Sequence, residues 1–170
     1  MNGLPLHPLV VHIPIALSAL MPLLSIGLLI SWWRGWLPQR AWWVAAVFQV
    51  ILVGGSFIAM ETGEGDEETV EEVVSHDAIH EHEEAAEVFA WTAAALLVPF
   101  LLAGLLRKRN VALGLAGVAT VGTIVVTGLG IRVGHAGGEL VYVHNAGAAW
   151  SNGAAPAAGG GEHGDDDDDD

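Results

Sequence analysis

The chain has 170 residues, enough for one domain, of which 52% are apolar and only 15% charged, against about 25% charged in ordinary soluble proteins. Twenty acids against six bases give a net charge of −14, which excludes a nucleic-acid binder, because phosphate neutralisation needs a basic surface. The chain has no cysteine, so disulfides, thiol nucleophiles and Cys-ligated zinc or iron–sulfur centres are excluded as well.

A helix that crosses a bilayer needs about 20 apolar residues. The sequence predicts four such spans, at residues 9–33, 41–60, 85–106 and 111–131. In lipid each backbone polar group must be satisfied within its own segment, so the spans are helices. The expected fold is all-α, an integral membrane four-helix bundle covering residues 1–147, with a disordered acidic tail over residues 148–170.

The first span opens on His7-Pro8-Leu9-Val10-Val11-His12-Ile13-Pro14. Pro8 suits the first turn of a helix. His7 then lies just before the helix and His12 about one turn inside it. Pro14 removes the donor to the Val10 carbonyl and loosens that turn. An ionisable residue on an apolar helix is costly unless it faces a partner. No basic residue precedes the span, unlike a cleaved signal peptide, so it reads as a retained helix. At its far end Trp32, Trp33, Trp36, Trp42 and Trp43 read as an interfacial anchor belt. Gln49 places a polar group midway along the second span, where it is expected to bond a neighbouring helix.

The loop at residues 61–84 is expected to be partly helical, with Asp66 as a cap and Val70, Val73 and Val74 as an apolar stripe on the membrane surface. His76, His80, Glu83 and Glu87 recur at steps of four, three and four, so they share one helical face and form a secondary candidate metal set. His82 points elsewhere, one turn ahead of the third span. In the fourth span Ala112, Ala116 and Thr120, with Gly114, Gly117, Gly122 and Gly128, predict close helix packing. Arg132 and His135 follow at its outer end. His144 and His163 receive no role, and the six terminal aspartates read as a solvated charge run.

Orientation follows from the bases. Arg34 and Arg40 lie between spans one and two, and Arg107, Lys108 and Arg109 between spans three and four. The positive-inside rule makes that side cytoplasmic. Both termini, all twenty acids, all eight histidines and the single remaining base, Arg132, are then placed toward the outside. The expected location is the cell inner (cytoplasmic) membrane.

The stretch Leu6-His7-Pro8-Leu9-Val10-Val11-His12-Ile13-Pro14-Ile15-Ala16-Leu17 resembles the opening motif of the membrane proteins catalogued as domain of unknown function 2231. That motif reads roughly His-Pro-x-x-Val-His-Phe-Pro-Ile-Ala, and the departure is Ile13 in place of Phe. Gly134-His135-Ala136-Gly137-Gly138-Glu139-Leu140-Val141-Tyr142 resembles the closing motif, and His82 matches a histidine typical just before the third span. The resemblance covers about residues 4–147. It implies the four-span fold and these candidate residues. Some relatives look fused to cytochrome c-type domains, which implies a redox setting and a respiratory or cytochrome c-type partner.

Three functions fit these features. His7, His12, His82 and His135 come from three spans at one depth and predict axial ligands for haem b, with Arg132 facing a propionate. The same four histidines predict, as an alternative, a copper or zinc site serving transport or sensing. The third reading is a structural subunit without cofactor, its histidines serving as interfacial hydrogen-bonders. No nucleophile motif, phosphate loop or HExxH is present, so an autonomous enzyme is not expected. Four spans without an inverted repeat do not make a stand-alone transporter; a homo-oligomer would reopen that reading.

Overall fold

The computed structural model describes residues 5–150 and is built from helices, with no strand among the described residues. In chain order these are α1 (His7–Val10), α2 (His12–Trp33), a 3-10 turn (Gln39–Trp42), α3 (Trp43–Val70), α4 (His76–Ala95), α5 (Leu97–Leu105), α6 (Arg109–Tyr142) and a 3-10 turn (Ala146–Trp150). Joined across their breaks, they form four units long and apolar enough to cross a membrane: His7–Trp33, Gln39–Val70, His76–Leu105 and Arg109–Tyr142. The four expected spans are all present, and each helical unit runs past the predicted span at its acidic end. α6 packs against α2, α4 and α5, while α3 closes the bundle against α2 and α4.

The core mixes a few large side chains with many alanines. Met21, Leu52, Phe89, Phe100 and Val126 interlock with Ala45, Ala93, Ala112, Ala116 and Ala119. Ala112, Ala116 and Thr120 are buried as the small-residue spacing predicts. Outward positions such as Leu23, Val98 and Val121 are exposed and apolar, as a lipid-facing surface requires.

Prolines decide where the helices break. Pro14 cannot donate to the Val10 carbonyl, and the first unit breaks at Val11. Pro99 likewise frees the Ala95 carbonyl, and the third unit breaks at Leu96. Pro22 stays inside α2 and frees the Ser18 carbonyl. There the Thr127 hydroxyl of α6 donates to the Ser18 oxygen at 2.6 Å, with the Thr123 carbonyl as its alternative acceptor at 2.9 Å.

Other side chains close backbone groups in the same way. Gln49 Nε2 donates to the Ala93 carbonyl at 2.8 Å, the cross-helix bond expected of it. Gln39 Nε2 lies among the carbonyls of Ala103, Gly104 and Leu106, at 2.8, 3.3 and 2.9 Å, and so closes the end of α5. Arg109 reaches the carbonyls of Trp32 and Trp33 at 3.3 and 3.0 Å, at the negative end of the α2 dipole. The tryptophan belt divides. Trp33, Trp36 and Trp43 are exposed, but Trp32 and Trp42 are buried. Trp42 stacks on Phe100 at 5.3 Å and donates its Nε1–H to the Phe100 carbonyl at 3.0 Å, so it is a core residue rather than an anchor.

At the acidic end the helices run on past the apolar spans. α6 has 34 residues, about 51 Å at 1.5 Å per residue, against a hydrocarbon thickness of about 30 Å. Asp66 does not cap a helix: α3 runs on through it to Val70, and Ser75 starts α4. Nor do the valines form a stripe on the membrane surface. Val74 is buried with Ile79 and Ala146 in a small second core, and Val70, Ala78 and Leu140 pack around it, while Val73 is exposed. Ala148 to Trp150, which the sequence assigns to the tail, belong to the last 3-10 turn. The rest of the tail, with His163, lies outside the described residues.

Thr127→Val is expected to lower stability by about 1 kcal/mol, measured by reversible unfolding in mixed micelles. In a Pro22→Ala background the loss should shrink, because residue 22 then supplies the N–H that the Ser18 carbonyl lacks. An equal loss in both backgrounds contradicts this account of Pro22.

Candidate functional site

His7 sits at the start of α1, held there by the Pro8-led turn. Its Nδ1–H donates to the carbonyl of Ala59 on α3 at 2.8 Å. A carbonyl only accepts, so Nδ1 carries the proton and the neutral ring keeps its lone pair on Nε2. The Thr62 hydroxyl donates to that carbonyl as well, at 2.9 Å. The first motif of the sequence is therefore tied to the second span through a backbone oxygen.

His82 arrives from the opposite side, on the first turns of α4. Its ring lies 6.0 Å from that of His7, centre to centre, at 88°. The His82 Nδ1 is buried and has no hydrogen-bond partner among the described residues. The Val133 carbonyl of α6 approaches the ring without reaching hydrogen-bond geometry to Nδ1. An orphaned buried polar atom costs about 1–3 kcal/mol, and one in a native fold asks for an explanation such as an ion or a water.

Two glycines make room for the pair. A Cβ on Gly63 of α3 would stand 3.2 Å from His7 Nδ1 and 3.3 Å from its Cε1. A Cβ on Gly137 of α6 would stand 3.1 Å from His82 Cε1. Each ring thus packs on a glycine of a third or fourth helix, and all four spanning units contribute to one point. The sequence does not single out Gly63, which sits in a Gly- and Glu-rich stretch that reads as loop. Gly137 stands in the closing motif, and its role is visible only once His82 is placed against it.

The other candidates stay apart. His12 is exposed on α2 and has no polar partner among the described residues. His135 is exposed on α6 and lies 3.5 Å from Glu139, one turn along the same helix. Arg132 is exposed, with no ion-pair partner among the described residues. Of the secondary set, His76 and His80 approach at 6.3 Å between ring centres, and His80 Nδ1 lies 3.9 Å from Glu83. Both histidines are solvent-exposed, and His76 is equally close to Glu71. Glu87 is exposed on the same helix. Among the described residues no three His, Asp or Glu side chains converge to hold a metal ion. Hollows of about 290 and 280 Å³ lie at Leu29, Ile30, Trp33 and Leu113, and at Gly134, His135, Gly138, Glu139, Tyr142 and Val143. Neither opens between the two paired rings.

The family model described as "Predicted membrane protein (DUF2231)" matches residues 3–149. The chain belongs to this family. The match takes in the whole bundle, both histidine motifs and the His7–His82 pair. No curated protein and no solved structure matches the chain. Family membership establishes a predicted membrane protein and leaves its activity to be argued from the site.

Gly137→Ala should press on the His82 ring. Its Cε1–H resonance in proton–carbon spectra is expected to shift, while that of His144 stays in place. An unmoved His82 resonance contradicts the packing described.

Proposed function

We propose that this DUF2231 protein binds a single transition-metal ion, copper or zinc, between His7 and His82 at the extracytoplasmic end of the bundle. One observation carries the reading: two imidazoles from different spans stand 6.0 Å apart, one locked by a backbone carbonyl, the other with a buried unpartnered nitrogen. Two metal–nitrogen bonds of about 2 Å each, added to the two ring radii, span a distance of this order. A metal-binding histidine characteristically donates its other N–H to a carbonyl or carboxylate, which fixes tautomer and orientation. The Ala59 carbonyl does this for His7. Imidazole nitrogens suit copper and zinc. Positions beyond the two nitrogens fall to water or to a group delivered with the ion.

Haem b is the second reading, favoured by the count of two histidines, the number of axial positions on one iron. It also requires a planar slot between the rings, and both rings are seated on glycines with helices close around them. The bare ion asks for less rearrangement. Under either reading His12, His135 and Arg132 are not ligands of this chain's own site, and a respiratory or cytochrome c-type protein is the partner expected for a redox ion.

The expected measurement is metal content and affinity of the detergent-purified full chain. Wild type should retain about one copper or zinc per chain. His7→Ala and His82→Ala should each lose more than the 10–100-fold that removal of a supporting group costs. His12→Ala and His135→Ala should bind as wild type. A reduced-minus-oxidised visible spectrum with a b-type α-band would transfer the site to haem. No metal and no band would leave a structural subunit.

The orientation is part of the proposal: basic loops in the cytoplasm, His7, His82 and both termini outside, in the inner membrane. The chain has no cysteine, so single-cysteine variants report cleanly. Ser75→Cys is expected to react with an impermeant maleimide in intact cells, and Arg40→Cys only after permeabilisation. The reverse pattern would overturn the orientation.

A further inference from the structure

The end of the bundle opposite the histidine pair carries charge without counter-charge. Arg34, Arg40, Arg107, Lys108 and Arg109 all lie there, while the sequence has no acid before Glu61 and none between Glu87 and Glu139. The ion pairs among the described residues join histidines to glutamates at the other end, and none involves these bases. α6 also starts at the basic end with neither an acid in its first turn nor a side-chain cap, so the positive end of its dipole is uncompensated too.

An apolar hollow of about 290 Å³ opens at this end, lined by Leu29, Ile30 and Trp33 of α2 and Leu113 of α6. Arg109 stands at its rim. Its Nη2 donates to the carbonyl of Trp33, a lining residue, at 3.0 Å, and lies 3.3 Å from that of Trp32. Leu113 follows Arg109 on the same face of α6, about 6 Å further toward the apolar middle of the span. The Arg109 side chain is exposed. The two carbonyls engage Nη2 alone, and a guanidinium has further N–H donors on Nε and Nη1. The hollow thus has a cation at its mouth and aliphatic and indole walls below.

We propose that this hollow between α2 and α6 seats an anionic phospholipid, its phosphate on Arg109 and an acyl chain along Leu29, Ile30, Trp33 and Leu113. The site is independent of the metal reading and of which side of the membrane the basic end faces. A phospholipid has the same order of parts as the hollow, an anion at the interface and a hydrocarbon chain beneath it. A soluble anion would use the rim and gain nothing from the walls. Arginine suits a phosphate because its planar fork donates paired hydrogen bonds. The carbonyl bonds hold that fork in place beforehand, which lowers the entropy cost of binding. A net negative headgroup is favoured over a zwitterionic one because the surrounding bases have no acid of their own to answer them.

The test is native mass spectrometry of the full chain in detergent, titrated separately with phosphatidylglycerol and phosphatidylcholine of the same acyl chains. The first phosphatidylglycerol should bind wild type about 10-fold more tightly than the first phosphatidylcholine. Arg109→Gln should weaken it by about 10-fold or more, the worth of a hydrogen bond to a charged group. Arg40→Gln removes the same charge outside the hollow and should stay within about twofold of wild type. Arg109 also closes the end of α2, so a second variant separates the two roles. Ile30→Trp enlarges an exposed wall of the hollow, keeps Arg109, and should also weaken phosphatidylglycerol binding. Equal affinity for the two lipids overturns the proposal. So do equal losses in Arg109→Gln and Arg40→Gln, which mark diffuse surface charge, and wild-type binding by Ile30→Trp, which removes the acyl chain from the hollow. Inorganic phosphate that protects the chain from heat as well as phosphatidylglycerol does would mark a free-anion site and overturn the lipid.

Discussion

Every backbone carbonyl left open inside this bundle must find a donor that is not water, and the structure is arranged around that demand. Pro14 and Pro99 break helices, Pro22 frees a carbonyl within one, and each helix end exposes further carbonyls. The repairs come from other helices. Thr127 closes the gap left by Pro22, Gln39 the end of α5, Arg109 the end of α2, and Trp42 and Gln49 reach across to Phe100 and Ala93. In lipid, apolar contact alone hardly distinguishes one helix pairing from another, since the tails are as apolar as the side chains. These polar ties are directional and local, so they select which spans meet and in what register.

The histidine pair is an extension of the same demand. His7 is fixed because its Nδ1–H serves the Ala59 carbonyl. Having spent one nitrogen on the backbone, the ring is left with one lone pair in a known direction. His82 leaves its buried Nδ1 without a hydrogen-bond partner among the described residues. A buried imidazole nitrogen left without a partner, ring against ring with a second imidazole, departs from the closure of backbone carbonyls seen elsewhere in the bundle. Departures of this kind concentrate where a protein does something other than hold itself together.

Much of this was legible in the sequence, and the rest was hidden for identifiable reasons. The four spans follow from run length alone. The break after Val10 follows from Pro14, and the bond made by Gln49 from the cost of an idle amide in lipid. The histidine motifs marked His7 and His82 individually. What the sequence could not supply is the pairing. His7 and His82 are 75 positions apart, and nothing local in either motif favours that partner over His12 or His135. The faces of the spans were equally hidden. A helix that is apolar all round has no stripe to read, so Trp42, which looks like an anchor, could not be told from Trp36, which is exposed. Asp66 was misread for a different reason. Gly63 and Gly65 lower the helix propensity of the stretch before it, and the helix runs on into a cluster in which Val70 and Val74 meet Ile79, Leu140 and Ala146.

That projecting end gives the acidic charge a physical place in the metal reading. Exposed carboxylates on α3 and α4 raise the local concentration of cations, but they are screened and hold any one ion weakly. A pair of neutral imidazoles does the opposite. It attracts nothing from a distance, yet offers directed lone pairs where water is scarce. Attraction and retention are then assigned to different residues: the first to exposed carboxylates, the second to two imidazoles that meet ring against ring.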